Sequence, residues 1–277
     1  MLLVTGSKGQ LGQHLRNLLP QAIFTDIEEL DLTDAFAVLN FVNNKKIDTI
    51  INCAAYTAVD KAEDEQDKAE LINHYGPLNL ANTGAKVIHI STDYVFSGDN
   101  DMPYKEFDTT IPKSIYGKTK LSGEQAILKN SSNSIVIRTS WLYSKYNSNF
   151  VKTMLNLGQQ RKSINVVCDQ LGSPTYAGDL AEAIVAILPQ LEATSGGIYH
   201  YSNEGQCSWF EFAERIMRIA NVQCKVLPID TDSYPTKAPR PAYSVLNTSK
   251  IKNTFGLSIP HWQASLEKML REEELIF

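Results

Sequence analysis

The chain has 277 residues, of which 43% are hydrophobic and 21% charged, and its formal charge at pH 7 is −5. This composition excludes a disordered chain and argues against a basic, nucleic-acid-binding protein. No apolar run approaches the roughly 20 residues that cross a bilayer, and MLLVTG is not a signal peptide, so we expect a cytoplasmic protein without a membrane partner.

Strand-like and helix-like segments alternate through the first half of the chain. The apolar runs with strand character are LLVT at 2–5, AIFTD at 22–26, DTIINC at 48–53, KVIHIS at 86–91 and SIVIRT at 134–139. Helical patterns separate them at 10–19, 34–43, 65–83 and 118–129. This alternation predicts an α/β fold in which helices cover both faces of a doubly wound parallel sheet.

The pattern loosens after about residue 145. We expect helices at 149–160, 178–191, 208–220 and 261–274, a strand at 197–202, and Ser208 as the cap of the third helix. Residues 229–241 are rich in proline and predict a long irregular loop, a kind of segment that is commonly functional. We therefore expect a dinucleotide-binding region at 1–145, joined by the strand at 197–202, and a smaller substrate-binding region at 146–277.

Potential metal ligands do not cluster in the sequence. The four cysteines are scattered without CxxC spacing, so we expect reduced thiols and no metal site. The five histidines are dispersed, and His89 alternates within a strand as a packed core residue does. The acidic residues between Asp60 and Asp67 read as a solvated helix face.

A glycine loop follows the first strand directly. TGSKGQLGQHL places glycines at 6, 9 and 12 ahead of a helix, a GxxGxxG relative of the dinucleotide-binding fingerprint. Gly6 permits the tight turn, Gly9 lets the backbone approach a pyrophosphate, and Gly12 lets the helix pack closely on the strand. The N-terminus of the helix then offers N–H groups and a partial positive charge to the phosphates.

A carboxylate in the right place supports the dinucleotide. Asp26 ends the second strand twenty residues after Gly6, where it can accept hydrogen bonds from an adenosine ribose. Asp26 disfavours a 2′-phosphate whereas Lys8 favours one, so both NADPH and NADH stay open. Asp31 is predicted either to reach the adenine region or to cap the helix that starts near Thr33.

The segment SIYGKTK sets Tyr116 and Lys120 four residues apart at the start of a helix, so both side chains share one face. A nearby lysine cation favours the phenolate, and we expect it to lower the pKa of Tyr116 by roughly one to three units, helped by an oxidised nicotinamide. Tyr116 then serves as a general acid and base. Thr92, at the end of the fourth strand, either aligns a substrate carbonyl or merely caps the strand.

Eight motifs together resemble one known family, the bacterial dTDP-4-dehydrorhamnose reductases of the extended short-chain dehydrogenase/reductase superfamily. They span almost the whole chain: GSKGQLG, INCAAYTAVDKAE, HISTDYVFSG, YGKTKLSGE, RTSWLYS, NFVKTML, DQLGSPT and YPTKAPRPAYSVLN. The resemblance implies a Rossmann fold and the NAD(P)H-dependent reduction of the C4 ketone of dTDP-4-dehydro-β-L-rhamnose, the last step of dTDP-rhamnose synthesis.

The resemblance also implies roles for individual residues. It makes Thr92, Tyr116 and Lys120 the catalytic residues. It lets Thr92 and Asp93 touch the sugar, with Trp141 packed on it. The implied cofactor contacts, with the glycines at 6, 9 and 12, are Gln10, Leu11, Asp26, Asp31, Leu32, Ala55, Tyr56, Thr57, Tyr116 and Lys120. The C-terminal part would bind the nucleotide-sugar through Asn149, Lys152 and Arg240, the last either contacting the diphosphate or anchoring its loop.

Other functions remain open at this point. The chain can act on another nucleotide-sugar as a reductase or epimerase, or it can resemble the non-catalytic regulatory subunits of methionine adenosyltransferase. Sugar dehydratases carry a glutamate after Thr-Asp, where this chain has Tyr94. Some relatives dimerise around a divalent ion held by glutamates near the first helix, whereas His14 stands at that position here and argues against that assembly. A monomer and a homodimer both stay open.

Overall fold

The computed structural model describes residues 1–191 and 196–272. Its first half contains the strands β1 (Leu2–Thr5), β2 (Ile23–Thr25), β3 (Thr49–Asn52), β4 (Lys86–Thr92) and β5 (Ile135–Thr139). The helices between them are α1 (Gln10–Leu18), α2 (Ala35–Asn44), α3 (Val59–Ala62), α4 (Gln66–Glu70), α5 (Gly76–Ala81) and α6 (Ile115–Asn130).

The second half begins with β6 (Leu142–Tyr143). Its other strands are β7 (Ser163–Val167), β8 (Leu171–Gly172), β9 (Thr175–Tyr176), β10 (Gly197–His200), β11 (Cys207–Ser208) and β12 (Lys225–Ile229). Its helices are α7 (Phe150–Gln160), α8 (Ala177–Ile187), α9 (Trp209–Ile219), α10 (Ser249–Phe255) and α11 (Trp262–Glu272). In the predicted last helix, residues 273 and 274 lie outside the described part of the chain.

The central sheet has six parallel strands in the order β10-β5-β4-β3-β1-β2. The order reverses between β1 and β3, and open α/β sheets bind ligands outside the carboxyl ends of the strands at such a point. The predicted doubly wound sheet is confirmed, and β10 pairs with β5 as its sixth strand.

Helices bury both faces of this sheet because neighbouring strand residues point to opposite sides. Leu3 and Ile50 pack toward α2, α5 and α6, whereas Val4 and Ile51 pack toward α1, α8 and α10. The strands are therefore apolar throughout, as buried parallel strands usually are. Two helices from the second half, α8 and α10, complete the core on one face.

A separate apolar core lies outside the sheet, where α7, α9 and α11 pack on the paired strands β7 and β12. Ser208 caps α9 as predicted, and its hydroxyl and the Glu211 carboxylate bond each other's backbone N–H groups in a capping box. The chain after Ile229 runs without a long helix or strand to Ser249, apart from a 3-10 turn at Thr231–Ser233, as the prolines predicted.

The predicted helix at 65–83 is interrupted. A π-helical turn at Leu71–Tyr75 separates α4 from α5 and turns Asn73 into the interior. Asn73 there accepts from the backbone N–H of Tyr56 and donates to the hydroxyl of Thr119 in α6. Among the described residues, no helix has the length and apolar character needed to cross a bilayer.

Candidate active site

A cleft of about 770 Å³ opens at the carboxyl ends of β1, β3, β4 and β5. Fourteen of the predicted site residues line it together: Gly6, Gly9, Gln10, Leu11, Asp26, Asp31, Leu32, Ala55, Thr57, Thr92, Asp93, Tyr116, Lys120 and Trp141. The other five predicted residues do not line it: Gly12, Tyr56, Asn149, Lys152 and Arg240.

The backbone of the glycine loop packs so closely on its neighbours that there is no room for side chains at Gly6 and Gly12. Gly6 has a φ of 66°, and a Cβ there would lie 2.6 Å from the backbone nitrogen of Ala54. A Cβ on Gly12 would lie 2.4 Å from the carbonyl oxygen of Gly6. Gly9 begins α1, and no side chain caps the first turn. The loop and the uncapped helix therefore fit the phosphates of a dinucleotide, with Gly12 shaping the loop from behind.

Asp26 stands at the rim of this loop. Its Oδ2 accepts from the backbone N–H of Lys8 at 2.8 Å, so the carboxylate fixes the turn while its side chain lines the cleft. The ammonium of Lys8 pairs with exposed Glu28 at 2.7 Å, and this contact raises the pKa of Lys8. A 2′-phosphate on the cofactor would therefore have to compete with Glu28 for the ammonium of Lys8.

The helix-capping alternative for Asp31 is wrong. Asp34 caps α2 by accepting from the N–H groups of Phe36 and Ala37, because it is the residue that directly precedes the helix. Asp31 accepts from the N–H and the hydroxyl of Thr33 and lines the cleft.

Tyr56 belongs to the supporting structure. Its ring is buried, its hydroxyl donates to Glu65, and its backbone groups are held by Asn73. The neighbours Ala55 and Thr57 reach the cleft instead, since successive residues of this extended segment point in opposite directions.

Thr92 and Tyr116 meet at the floor of the cleft. Ser114 caps α6 by accepting from the N–H of Gly117, which places Tyr116 in the first turn. Burial raises the pKa of Tyr116 to about 12, against the opposing effect of a hydrogen bond with Thr92. Tyr116 is therefore a phenol at neutral pH, poised to give a proton rather than to take one.

The pKa of Tyr116 differs from the prediction, because burial outweighs any stabilisation of the phenolate. Lys120 is buried and donates to the carbonyl oxygen of Ile90 at 2.6 Å, while its Nζ lies 3.5 Å from His89 Nε2. Burial lowers the pKa of Lys120 to about 8, and the nearby Glu124 carboxylate opposes that effect. His89 is thus a core residue, as expected, that also borders the lysine.

Asp93 adds a buried carboxylate to the cleft. Its Oδ1 accepts from the hydroxyl of Thr92 at 3.0 Å, and hydrogen bonds from Ser244 and Thr92 oppose the effect of burial on its pKa. Burial raises the pKa of Asp93 to about 6.

Trp141 forms one wall of the cleft in an unusual backbone conformation, with a φ of 48°. Its indole stacks on that of Trp209, with ring centroids 3.5 Å apart and an interplanar angle of 8°. Gly172 leaves room for it, because a Cβ there would lie 2.5 Å from the indole. Trp209 also lines the cleft, and nothing in the sequence marked it beyond its place beside the Ser208 cap.

Asn149 and Lys152 lie outside the cleft, at the start of α7. Asn149 caps α7 and donates to Gln10 at 3.1 Å, while the ammonium of Lys152 donates to the carbonyl oxygen of Lys145. Asn149 thus joins α7 to Gln10, which lines the cleft, whereas the ammonium of Lys152 contacts the chain that precedes α7.

Arg240 contacts the acidic run rather than the cleft. It bonds Asp60 at 2.6 Å, and Asp60 also accepts from the backbone N–H of Ala238. Asp64 pairs with Lys237, and Glu63 accepts from the N–H of Ile115 at the start of α6. The run faces solvent as expected, with Asp64 and Asp67 exposed, but it also binds the proline-rich loop through Asp60 and Asp64 and contacts α6 through Glu63.

The described residues hold no group of three or more His, Cys, Asp or Glu side chains that could bind a metal ion. What the cleft does offer is a protonated phenol and a threonine hydroxyl beside a dinucleotide-sized groove. Together they can hold and protonate a carbonyl oxygen.

Comparison with known proteins gives a consistent family. The model described as the RmlD substrate binding domain matches residues 1–275. The spore coat polysaccharide biosynthesis protein SpsK of Bacillus subtilis is 43% identical, over 98% of this chain and 97% of that protein. A dTDP-4-dehydrorhamnose reductase of Aggregatibacter actinomycetemcomitans is 41% identical, over 97% of each chain.

A solved structure adds a ligand to this family. The dTDP-4-dehydrorhamnose reductase of Bacillus anthracis, crystallised in complex with NADP, superposes with a TM-score of 0.92. It is 43% identical and the match covers 98% of both chains.

Proposed function

The chain belongs to the RmlD substrate binding domain family, and from this premise we propose that it is a dTDP-4-dehydrorhamnose reductase. Such an enzyme reduces the C4 ketone of dTDP-4-dehydro-β-L-rhamnose to dTDP-β-L-rhamnose with NADPH or NADH, the last step of dTDP-rhamnose biosynthesis. The observation that carries the proposal is the hydrogen-bonded pair Thr92–Tyr116, which lines the same cleft as Lys120 and the glycine loop.

In this proposal the glycine loop and α1 bind the pyrophosphate, and Asp26 with Asp31 binds the adenosine end. A similar protein binds NADP. When bound, the reduced nicotinamide supplies a hydride. Residues 1–145 with β10 would hold this cofactor, and the remainder would mainly hold the nucleotide-sugar.

The protein's own residues handle the proton. The Thr92 hydroxyl, which donates to Asp93 in the free protein, turns its hydrogen to the ketone oxygen and fixes the position of that oxygen relative to Tyr116. Tyr116 gives its proton to that oxygen as negative charge develops, which its high pKa permits because the phenol is fully protonated at neutral pH. Lys120 holds the nicotinamide ribose, and its charge stabilises the phenolate left behind. Asp93 and Trp141 hold the sugar.

Tyr94 supports simple reduction over elimination. Its ring packs edge-on against Tyr116 with centroids 5.5 Å apart, and it stands where the dehydratases carry a glutamate. Epimerases and dehydratases share the fold, but this position offers no carboxylate to remove a second proton.

The test is turnover of freshly generated dTDP-4-dehydrorhamnose, followed by loss of NADPH or NADH and by identification of the sugar product. We expect Tyr116→Phe to lower kcat by at least about 100-fold, since it removes the proton donor, while the Kd for NADPH stays within about threefold. Tyr75→Phe is a matched control, because Tyr75 is exposed and does not line the cleft.

Two results would count against the proposal. A near-normal rate for Tyr116→Phe would remove Tyr116 from the chemistry. Tight dinucleotide binding by the wild type without turnover of this sugar would instead indicate another nucleotide-sugar or a regulatory subunit.

A further inference from the structure

Thr139, the last residue of β5, lies beside Thr92 in the sheet. The two residues are register partners in parallel strands, so their Cα atoms are about one strand spacing, roughly 4.8 Å, apart and their side chains share a face. Both line the cleft. A second threonine hydroxyl therefore stands next to the one that holds the reacting carbonyl.

The hydroxyl of Thr139 lacks a hydrogen bond. The residue is 7% exposed, and Oγ1 has no partner in the described part of the chain. A buried hydroxyl without a hydrogen bond is unfavourable, so a ligand that supplies the missing bond is stabilised at this position. The hydroxyl of Thr92, in contrast, is bonded within the protein to Asp93 and to the N–H of Tyr94.

Strand order shows which ligand lies near Thr139. Along the sheet β1, β3, β4 and β5 follow one another, so Thr139 lies one strand farther from the glycine loop than Thr92 does. The stacked indoles of Trp141 and Trp209 close the cleft on that same side. Thr139 thus lies beyond the reacting carbonyl, on the side away from the cofactor phosphates.

We propose that the Thr139 hydroxyl binds the sugar hydroxyl next to the reacting ketone, and so positions the ring on Thr92 and Tyr116. This contact rests on the proposed reductase function. Two hydroxyls one strand apart suit two oxygens on neighbouring ring carbons. The hydrogen bond missing in the free protein then forms with the substrate.

Thr139→Val tests the contact, since valine keeps the shape and removes only the hydroxyl. We expect kcat/KM for the sugar to fall about 3- to 10-fold, mainly through KM, with an unchanged Kd for NADPH. The melting temperature should not fall, because the hydroxyl is unsatisfied in the free protein. Thr139→Ser, which keeps the hydroxyl, should restore most of kcat/KM.

Thr175→Val is the matched control. Thr175 is also fully buried with an unpartnered hydroxyl, but it does not line the cleft. We expect its change to valine to act on stability as Thr139→Val does and to leave kcat/KM unaltered.

Four outcomes would overturn the contact. Wild-type kcat/KM in Thr139→Val would remove it, as would a matching rise in the Kd for NADPH, which would assign the hydroxyl to the nicotinamide. Loss of activity together with a lower melting temperature would make Thr139 structural. Absence of turnover by the wild type would overturn the reductase function itself and this contact with it.

Discussion

At the scale of single residues, burial controls protonation in the cleft. It raises the pKa of Tyr116 and Asp93 and lowers that of Lys120. Each shift favours the neutral form, because charge is poorly solvated there. At neutral pH Tyr116 is therefore protonated and neutral, whereas Lys120 and Asp93 stay mostly charged but titrate much closer to pH 7 than they would in water.

Asp93 allows this to be measured through stability. Its pKa rises from 3.8 to about 6 on folding, so between pH 4 and 6 the folded protein holds a proton that the unfolded chain has released. The free energy of unfolding therefore falls as pH rises through this window, by about 3 kcal/mol at most. Asp93→Asn removes this dependence.

We accordingly compare the free energy of unfolding of Asp93→Asn with that of the wild type. The difference should favour the variant more at pH 7 than at pH 4. Urea unfolding of both proteins at the two pH values measures this, and exposed Asp101→Asn is the control. An equal difference at both pH values would show that the carboxyl is not protonated on folding.

Residue chemistry was only partly predictable from sequence. Thr92, Tyr116 and Lys120 could be placed because strand ends and helix faces follow from periodicity. The pKa of Tyr116 could not, since it depends on how deeply the cleft buries the phenol. Thr139 was missed because an unsatisfied hydroxyl becomes visible only when all its neighbours are known.

At the scale of elements, the π-helical turn joins the cofactor side to α6. Asn73 projects from it to hold both Tyr56 and Thr119. Gly123 of α6 packs on this turn so closely that a Cβ would lie 2.1 Å from the carbonyl oxygen of Asn73. Backbone, not a flexible side chain, would have to move for any larger residue.

Gly123→Ala should therefore destabilise the protein by about 2 kcal/mol, despite the better helix propensity of alanine. Chemical denaturation measures the loss, with Gln125→Ala on the exposed face of the same helix as the control. A neutral or stabilising effect would mean that α6 can shift away from the turn without penalty.

The strands of the main sheet could be predicted because each is a short apolar run with turn residues around it. The helix at 65–83 could be predicted but its π-turn could not, since a single extra residue per turn leaves no clear mark in the hydrophobic pattern. The two-residue strands β6, β8, β9 and β11 are too short to have any periodicity.

At the scale of the whole molecule, the Asp60–Arg240 ion pair fastens the proline-rich loop to α3. Arg240 also lies over the ring of Tyr94, which packs on Tyr116. The loop thereby reaches Tyr116, the proposed proton donor, through two aromatic contacts. The pairing of Asp60 with Arg240 could not be predicted from sequence, because the two residues are 180 positions apart in the chain.

If Arg240 anchors the loop, Asp60→Ala and Arg240→Ala should each raise KM for the sugar about 3- to 10-fold, and the double variant should do no more than either. Lys237→Ala, which breaks the exposed pair with Asp64, should have little effect. Steady-state kinetics on the four variants decides this. A much larger effect of Arg240→Ala alone would assign Arg240 to the diphosphate.

The interleaving of the two halves has a consequence for synthesis of the protein. When a nascent chain has emerged from the ribosome only as far as β5, α1 still lacks its partner α8 and the edge of β5 still lacks β10. The apolar residues Leu11 and Leu15 then stay exposed until α8 follows. The sheet and its core therefore cannot be completed before α8 and β10 have been made.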